Sequence, residues 1–195
     1  MAMIIKDRKE LEIKCSPVSI KEGEEIGVRL LHELRESENG IGLAANQIGI
    51  NKRVCVINVK EPIVLINPNV IDTSQEKFKF AEGCLSFPND KVKTIRHNWI
   101  KVHADNHDSP LVFSAESNDI NDAFECACVQ HEIDHLDGIT MFDREFKQEP
   151  IVKGVNAPQK IGRNEKVTIT KGTESKILKY KKAQRMLEDG WILSV

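Results

Sequence analysis

Two histidines four residues apart constrain this chain more than any other feature of its sequence. His131 and His135 lie in the segment QHEIDHLDG. An α-helix advances about 3.6 residues per turn, so both rings lie on one face and can present a nitrogen to the same ion. Glu132 lies about 100° round the helix, near enough to reach a water molecule held by that ion. The segment therefore predicts a metal site with a general base beside it.

The residues before the histidines predict a helix with one buried face. Its buried stripe consists of residues at helical spacing, Phe124, Ala127, Cys128, His131 and His135. Residues 117–119 (SND) offer N-caps, and Gly138 can end the helix. Two core histidines satisfied by hydrogen bonds are the alternative, but the paired spacing with a glutamate between them favours metal. A catalytic zinc-type site needs three protein ligands, so the chain must supply a third.

Length and composition set the broad class of protein. The 195 residues predict one domain, with room for a small appendage, and a net charge of −2 requires neither nucleic acid nor an acidic membrane as partner. No apolar run is long enough to span a bilayer, and the opening MAMIIKDRKE becomes charged too soon for a signal peptide. Five cysteines in this setting favour reduced thiols over disulfides. We therefore expect a cytoplasmic protein with no membrane or DNA partner.

The segment GIGLAANQIG, from Gly40 to Gly49, is dense in small residues. Glycine and alanine let the backbone approach another molecule closely, and the side chain of Gln47 can both donate and accept hydrogen bonds. No lysine and no Rossmann-type continuation follows, which argues against a nucleotide loop. Two interpretations remain open, a docking surface and a tight turn from helix to strand.

Cys84, in the segment EGCLSFP, is the candidate for the third ligand. Gly83 and Pro88 flank it, so we expect its thiol on a constrained loop, although a buried cysteine acting as a small hydrophobe is the alternative. A helix is predicted over 22–36. Short strands are predicted at 54–59, 63–66, 77–80, 91–95, 99–104 and 111–113. The expected fold is α+β, with antiparallel strands around a central metal-binding helix.

Three segments, GIGLAANQ, EGCLS and QHEIDH, stand in this order at spacings that resemble peptide deformylase, the family that removes the formyl group from nascent N-formylmethionyl chains. The resemblance extends from about Met3 to about Phe146. It implies one divalent metal ion, typically Fe(II) with zinc, nickel or cobalt accepted, and water in the fourth position. The implied ligands are Cys84, His131 and His135. Glu132 corresponds to the family's general base, which later acts as general acid.

The resemblance also implies how substrate is bound. The family's oxyanion hole maps onto the side-chain amide of Gln47 and the backbone N–H of Leu85, and its backbone contact to substrate falls at Gly42. The methionine pocket maps onto Ile41, Phe80, Phe124, Ala127, Cys128 and the ring of His131. Such an apolar slot suits an unbranched thioether side chain. The implied substrate is therefore an N-formylmethionyl peptide.

Other positions either fit or depart from the family's pattern. Glu82 and Arg96 resemble a structural ion pair that braces the cysteine segment. Lys91 stands where many bacterial members carry an arginine that contacts the substrate backbone, and lysine lacks that planar fork. Glu125 is a charge at a position that is usually apolar, and we expect it to face outward.

The C-terminal part of the chain departs further. The family's long terminal helix cannot follow Phe146, because Pro150, Gly154, Pro158 and Gly162 interrupt that stretch. We therefore expect a catalytic domain at 1–148, a linker at 149–162 and a small ββαβ appendage at 163–195. Eight basic and four acidic side chains give the appendage a net charge of +4. Transient contact with ribosomal RNA and contact with a protein partner are both open, but the composition favours a merely solvated basic module.

Two rival functions share the same metal motif. HExxH also serves zinc proteases, so a peptide hydrolase is the alternative within enzymes. A metal-binding module without turnover is the alternative from another class. Structural zinc sites normally fill all four positions with protein, and the sequence offers no fourth ligand at suitable spacing. Formyl hydrolysis is the leading prediction.

Overall fold

A computed structural model describes residues 3–37, 40–147, 166–171, 174–189 and 191–194. By their internal contacts the residues separate into two units, Met1–Lys147 and Gln148–Val195. The predicted linker at 149–162 lies outside the described residues. Among the described residues, no helix combines the length and the apolar character that crossing a bilayer requires.

The larger unit combines helices with antiparallel strands. Its helices are α1 (Arg8–Leu11), α2 (Ile20–Glu36) and α3 (Ile120–Leu136). Its strands are β1 (Gly42–Ala44), β2 (Val54–Ile57), β3 (Ile63–Ile66), β4 (Asn69–Thr73), β5 (Lys77–Cys84), β6 (Phe87–His97), β7 (Trp99–His103) and β8 (Leu111–Ser114). They pair antiparallel in the orders β1-β2-β3, β4-β7-β8 and β5-β6. The predicted α+β class is confirmed.

Helix α3 is buried on every side along most of its length. The side chain of Asp119 caps its first turn by accepting from the N–H of Asn121, at 2.9 Å. Every residue from Glu125 to Leu136 is buried, because the helix packs against β1, β2 and β8. The prediction of a single buried stripe was therefore too narrow. The polar side chains of this helix must find partners inside the protein.

Glu125 is one of these buried polar residues, and its partner is Lys60. We expected this side chain to face outward, and that expectation was wrong, since Glu125 is only 7% exposed. Its Oε2 lies 2.7 Å from Nζ of Lys60, which also contacts Asp122 at 2.7 Å. The ammonium group lies in the turn between β2 and β3, so the sequence around Glu125 gave no sign of the pairing. An ion pair at the edge of the core makes the charge tolerable there.

We expected Cys84 on a constrained loop, and that expectation was wrong. Cys84 is the last residue of β5. It pairs with Phe87, the first residue of β6, across the two residues Leu85 and Ser86. The regular register of the hairpin shifts between Glu82 and Cys84. Backbone pairing at the end of the hairpin, more than the neighbouring glycine and proline, therefore fixes the position of the thiol.

The smaller unit contains β9 (Lys166–Lys171), β10 (Glu174–Lys179), α4 (Tyr180–Glu188) and β11 (Ile192–Ser194). Its sheet has the antiparallel order β10-β9-β11. Val167, Ile169 and Ala183 form its buried core. Lys166 and Lys179 stand directly opposite each other on neighbouring strands, an arrangement that places like charges side by side.

Gly138 ends the turn after α3 and generates a stability prediction. Its φ is +74°, and a Cβ there would lie 2.4 Å from the carbonyl oxygen of Glu12. Gly49 has a similar φ of +79°, but nothing lies within 4 Å of its missing Cβ. We expect Gly49→Ala to lower the free energy of unfolding by about 1–2 kcal/mol, the cost of the left-handed conformation alone. Gly138→Ala should lower it further in chemical denaturation, and equal losses would contradict the role of the close contact.

Candidate metal centre

Three side chains from two distant segments converge in the larger unit. Cys84 comes from the end of β5, and His131 and His135 come from successive turns of α3. Nε2 of His135 lies 3.3 Å from Sγ of Cys84 and 3.2 Å from Nε2 of His131. All three potential ligand atoms lie within 4.8 Å of one another. A tetrahedral ion with bonds of about 2.0–2.3 Å would hold its ligand atoms about 3.3–3.6 Å apart, so the spacing suits a metal ion.

The hydrogen bonds of the rings support the same arrangement. Nδ1 of His131 lies 2.9 Å from Oε2 of Glu82. Because an ionised carboxylate can only accept, Nδ1 carries a proton, and Nε2 is the ring nitrogen left to face His135 and a metal ion. Burial lowers the pKa of His135 well below its usual value, which keeps that ring neutral. Burial alone would lower the pKa of His131, but hydrogen bonds with Cys84 and Glu82 outweigh it and raise that pKa, so this ring would have to give up a proton to bind a metal ion. One sulfur and two imidazole nitrogens form a donor set that suits zinc, iron, nickel or cobalt.

A buried ion network supports the ligands from behind. Nε and Nη2 of Arg96 bind the two oxygens of Glu82 at 2.5 and 2.8 Å, and Nη1 binds Asp134 at 2.5 Å. Thr94 also donates to Glu82, at 2.6 Å. Burial alone would raise the pKa of Glu82, but hydrogen bonds from Arg96 and His131 outweigh it and lower the pKa to about 2. The carboxylate therefore stays ionised and holds the proton of His131 on Nδ1.

Glu132 lies next to the first histidine and is only 3% exposed. Burial raises the pKa of its carboxyl group to about 7. Among the described residues, its Oε2 has no hydrogen-bond partner. A Cβ at Gly42 would lie 2.5 Å from Oε1 of Glu132 and 2.6 Å from Sγ of Cys128. Glycine therefore lets the backbone of β1 lie close to these two side chains. A carboxyl group with this pKa can take up and release a proton near neutral pH.

Gln47 contacts the centre through the sulfur of Cys84. It lies in the short 3-10 helix Ala45–Ile48, and its Oε1 accepts from the N–H of Ala44 at 2.8 Å. That bond turns Nε2 towards Ser86 and Cys84, where it lies 3.1 Å from Oγ and 3.4 Å from Sγ. The GIGLAANQIG segment is therefore both a tight turn and a surface that presents a donor to the metal centre.

A cleft of about 830 Å³ opens beside these groups. Each residue predicted to bind substrate or to act on it lines the cleft, namely Ile41, Gly42, Gln47, Phe80, Leu85, Phe124, Ala127, Cys128 and Glu132. The rings of Phe80 and Phe124 meet edge to face with centroids 5.0 Å apart. Phe124 is 40% exposed because it lies at the cleft, away from the fully buried part of α3. Lys91 is exposed on β6 and is not among the residues that line the cleft.

Some residues that line the cleft were missed by the sequence reasoning. They are Met3, Ile4, Lys6, Glu33, Glu36 and Ser37. Glu33 and Glu36 belong to the charged side of α2, which the sequence alone would place in bulk water. No local pattern distinguishes a charge that faces bulk water from one at the mouth of a cleft, so only the tertiary structure identifies them.

Known proteins are similar to this chain in sequence and in fold. Residues 1–150 match the family described as polypeptide deformylase. A peptide deformylase of Natranaerobius thermophilus is 43% identical over 124 residues, covering 62% of this chain and 75% of that protein. One from Prochlorococcus marinus (strain AS9601) is 37% identical over 152 residues, covering 73% of this chain and 71% of that protein. The solved peptide deformylase of Thermotoga maritima superimposes with a TM-score of 0.64 at 30% identity, covering 75% of this chain and 99% of that chain.

The ion network generates a prediction with a matched control. The side chains of both Arg96 and Arg144 bind Asp134, but Arg96 is 3% exposed and Arg144 is 43% exposed. Arg96→Met removes the guanidinium that binds both oxygens of the buried Glu82 and one of the two that bind Asp134, and it should lower the free energy of unfolding by about 3–5 kcal/mol. Arg144→Met should cost at most about 1 kcal/mol, because water screens the exposed guanidinium. Thermal and chemical denaturation measure both, and similar losses would refute the special role of Arg96.

Proposed function

This chain belongs to the peptide deformylase family, the metal-dependent hydrolases that remove the N-formyl group from nascent peptides, and we propose that Cys84, His131 and His135 bind its metal ion. The protein is accordingly a hydrolase, and the resemblance first noted in three sequence motifs is confirmed. The convergence of one sulfur and two nitrogen donors within 4.8 Å is the observation that supports the proposed ligand set.

The metal ion, when bound, polarises the formyl oxygen and lowers the pKa of water. The chain's residues supply the other parts of the reaction. Glu132 takes a proton from the attacking water as general base, then gives it to the departing amine as general acid. Its pKa of about 7 suits both steps, since neither protonation state is then strongly favoured near neutral pH.

Two donors of the chain are proposed to stabilise the negative charge on the formyl oxygen. Nε2 of Gln47 already points to the metal centre, 3.4 Å from Sγ of Cys84. The backbone N–H of Leu85 follows Cys84 directly in the hairpin turn. Donors held in place before the reaction contribute more than mobile water, because they need no reorganisation as charge develops.

The apolar part of the cleft is proposed to hold the methionine side chain of the substrate. Phe80, Phe124 and Cys128 line this part, together with Ile41, Ala127 and the ring of His131. A flexible thioether fills such a space well and makes favourable contacts with aromatic edges. The substrate is then an N-formylmethionyl peptide, whose backbone we place beside Gly42 in the lining of the cleft.

The identity of the metal is a finer proposal. A thiolate with two imidazoles accepts several late divalent ions, and cellular supply selects among them. We take Fe(II) as the native ion, with zinc, nickel or cobalt as functional substitutes. We also propose that the protein acts in the cytoplasm.

Substitutions at the centre separate metal binding from turnover. Glu132→Ala should keep the metal and lower kcat at least about 100-fold, because the general base is lost. Cys84→Ala and His135→Ala should lose both metal and activity. Metal analysis and formate release from formyl-Met-Ala-Ser under anaerobic conditions measure these effects. Glu125→Gln, a buried glutamate on the same helix that pairs with Lys60, is the matched control and should retain turnover. An active Glu132→Ala protein would refute the assigned role.

The smaller unit is proposed to make a transient contact with ribosomal RNA. From position 163 onward the chain carries eight basic and four acidic residues. Lys166 and Lys179 face each other across the β9–β10 pair, and Lys181, Lys182 and Arg185 are exposed on α4. Clustered exposed cations attract a phosphate backbone, and an enzyme that acts on nascent chains meets that polyanion at the ribosome.

Charge reversal tests the RNA contact without truncating the chain. Lys179→Glu combined with Lys182→Glu should reduce co-sedimentation with ribosomes about tenfold at low salt and flatten its dependence on salt. The control is Lys9→Glu with Lys21→Glu, which makes the same change of charge on exposed residues of the larger unit. Equal binding by the wild type and both double variants would overturn the proposal in favour of a solvated basic module.

A further inference from the structure

Asn46 contacts the metal centre but has no part in the proposed reaction. It lies in the 3-10 helix Ala45–Ile48 and is 2% exposed. Its Nδ2 lies 2.7 Å from the carbonyl oxygen of His135 and 3.5 Å from that of Leu11. The next residue, Gln47, reaches Cys84. Two consecutive residues of one short turn therefore contact two proposed ligands that belong to different segments of the chain.

The orientation of the Asn46 amide is fixed by its surroundings. Both neighbours of Nδ2 are carbonyl oxygens, which can only accept hydrogen bonds. A flipped amide would place Oδ1 against these oxygens. Within the described part of the chain, Oδ1 has no hydrogen-bond partner, so the contact with His135 is the principal bond that the buried side chain makes.

The two histidine ligands are held in different ways. His131 is oriented through its ring, because Nδ1 binds the carboxylate of Glu82 at 2.9 Å. Nδ1 of His135 has no hydrogen-bond partner among the described residues. The direction of this second ring therefore depends on where the backbone of α3 holds it and on packing, since no side chain in the described ranges binds Nδ1.

The backbone at His135 is near the end of α3, where carbonyl oxygens lack partners within the helix. Groups from elsewhere in the chain satisfy them. The oxygen of His135 accepts from Nδ2 of Asn46 at 2.7 Å and from the N–H of Gly138, in the turn after the helix, at 3.1 Å. The N–H of Cys15 binds the oxygen of Leu136 at 2.9 Å. Arg53 adds a longer contact to the same Leu136 oxygen at 3.4 Å. Of these two side chains, Asn46 is the one that binds a ligand residue itself.

We propose that Asn46 is a positioning residue for His135. By binding the carbonyl oxygen of His135, Asn46 fixes the last turn of α3 against the turn that carries Gln47. This bond keeps the imidazole of His135 at its distance from Cys84. The 3-10 helix Ala45–Ile48 therefore positions both a metal ligand and Gln47, the proposed oxyanion donor. This inference rests on the proposed metal site.

Replacement of the amide by an acid of the same shape tests the proposal. Asn46→Asp removes the donor to His135, and the protein loaded with Co(II) should release the ion to a chelator about 10- to 100-fold faster than the wild type. Its visible d–d absorption should also change, because that spectrum reports ligand geometry. A merely structural role for Asn46 would lower stability without altering either readout.

A remote amide supplies the matched control. Nδ2 of Asn106 donates to the carbonyl oxygen of Val64 at 2.9 Å, and its Oδ1 accepts from Ile66 at 3.0 Å. Asn106→Asp should therefore cost stability while leaving Co(II) release and the spectrum unchanged. In Asn46→Ser the hydroxyl is too short to reach His135, so this variant should accelerate Co(II) release without adding a charge. It replaces Asn46→Asp in the test if that variant does not fold.

The outcomes distinguish this inference from the proposed function. Unchanged release from the Asn46 variants, or equally fast release from Asn106→Asp, would overturn the role of Asn46 alone. If Cys84→Ala binds Co(II) with the same spectrum and release rate as the wild type, the proposed metal site itself is wrong. If Co(II) binding or release changes in the Cys84 variant and release is faster in the Asn46 variants, the results support both the metal site and the role of Asn46.

Discussion

The carboxylate of Glu82 connects the hairpin that carries Cys84 to the helix that carries both histidines. One of its oxygens accepts from Arg96 and Thr94, and the other accepts from Arg96 and His131. Each of these bonds is buried, so water neither competes with them nor readily replaces a donor that is lost. The geometry of the metal centre therefore depends on a network that includes none of the reacting groups.

Two glutamates in this region behave in opposite ways for a clear physical reason. Glu82 is surrounded by donors, including a guanidinium, which lower its pKa to about 2 despite its burial. Glu132 is buried without such donors, and its pKa rises to about 7. The first is a permanent anion that orients His131, whereas the second can exchange a proton. Separation of these two tasks between neighbouring carboxylates is a common device in active sites.

Local sequence patterns predicted the parts of this protein that depend on local geometry. The spacing of His131 and His135 predicted a helix that presents both rings to one point, and the segment around Cys84 predicted a third donor. Burial of Glu125 could not be predicted, because it depends on Lys60 from a turn between distant strands. The same holds for Asn46, whose partner is a backbone carbonyl on α3. Periodicity shows which face of an element is apolar, but it carries no information on which group from elsewhere meets a polar side chain.

Two glycines near the metal centre, Gly42 and Gly83, differ in the space available for a side chain. Any codon change away from glycine at position 42 adds a carbon that would collide with the carboxylate of Glu132 and the thiol of Cys128. At Gly83, the nearest atom to an added carbon is the carbonyl oxygen of Asp90, 4.0 Å away, an ordinary van der Waals distance. An added methyl group is therefore excluded on steric grounds at position 42 but not at position 83, although both glycines belong to the motifs that resemble the family.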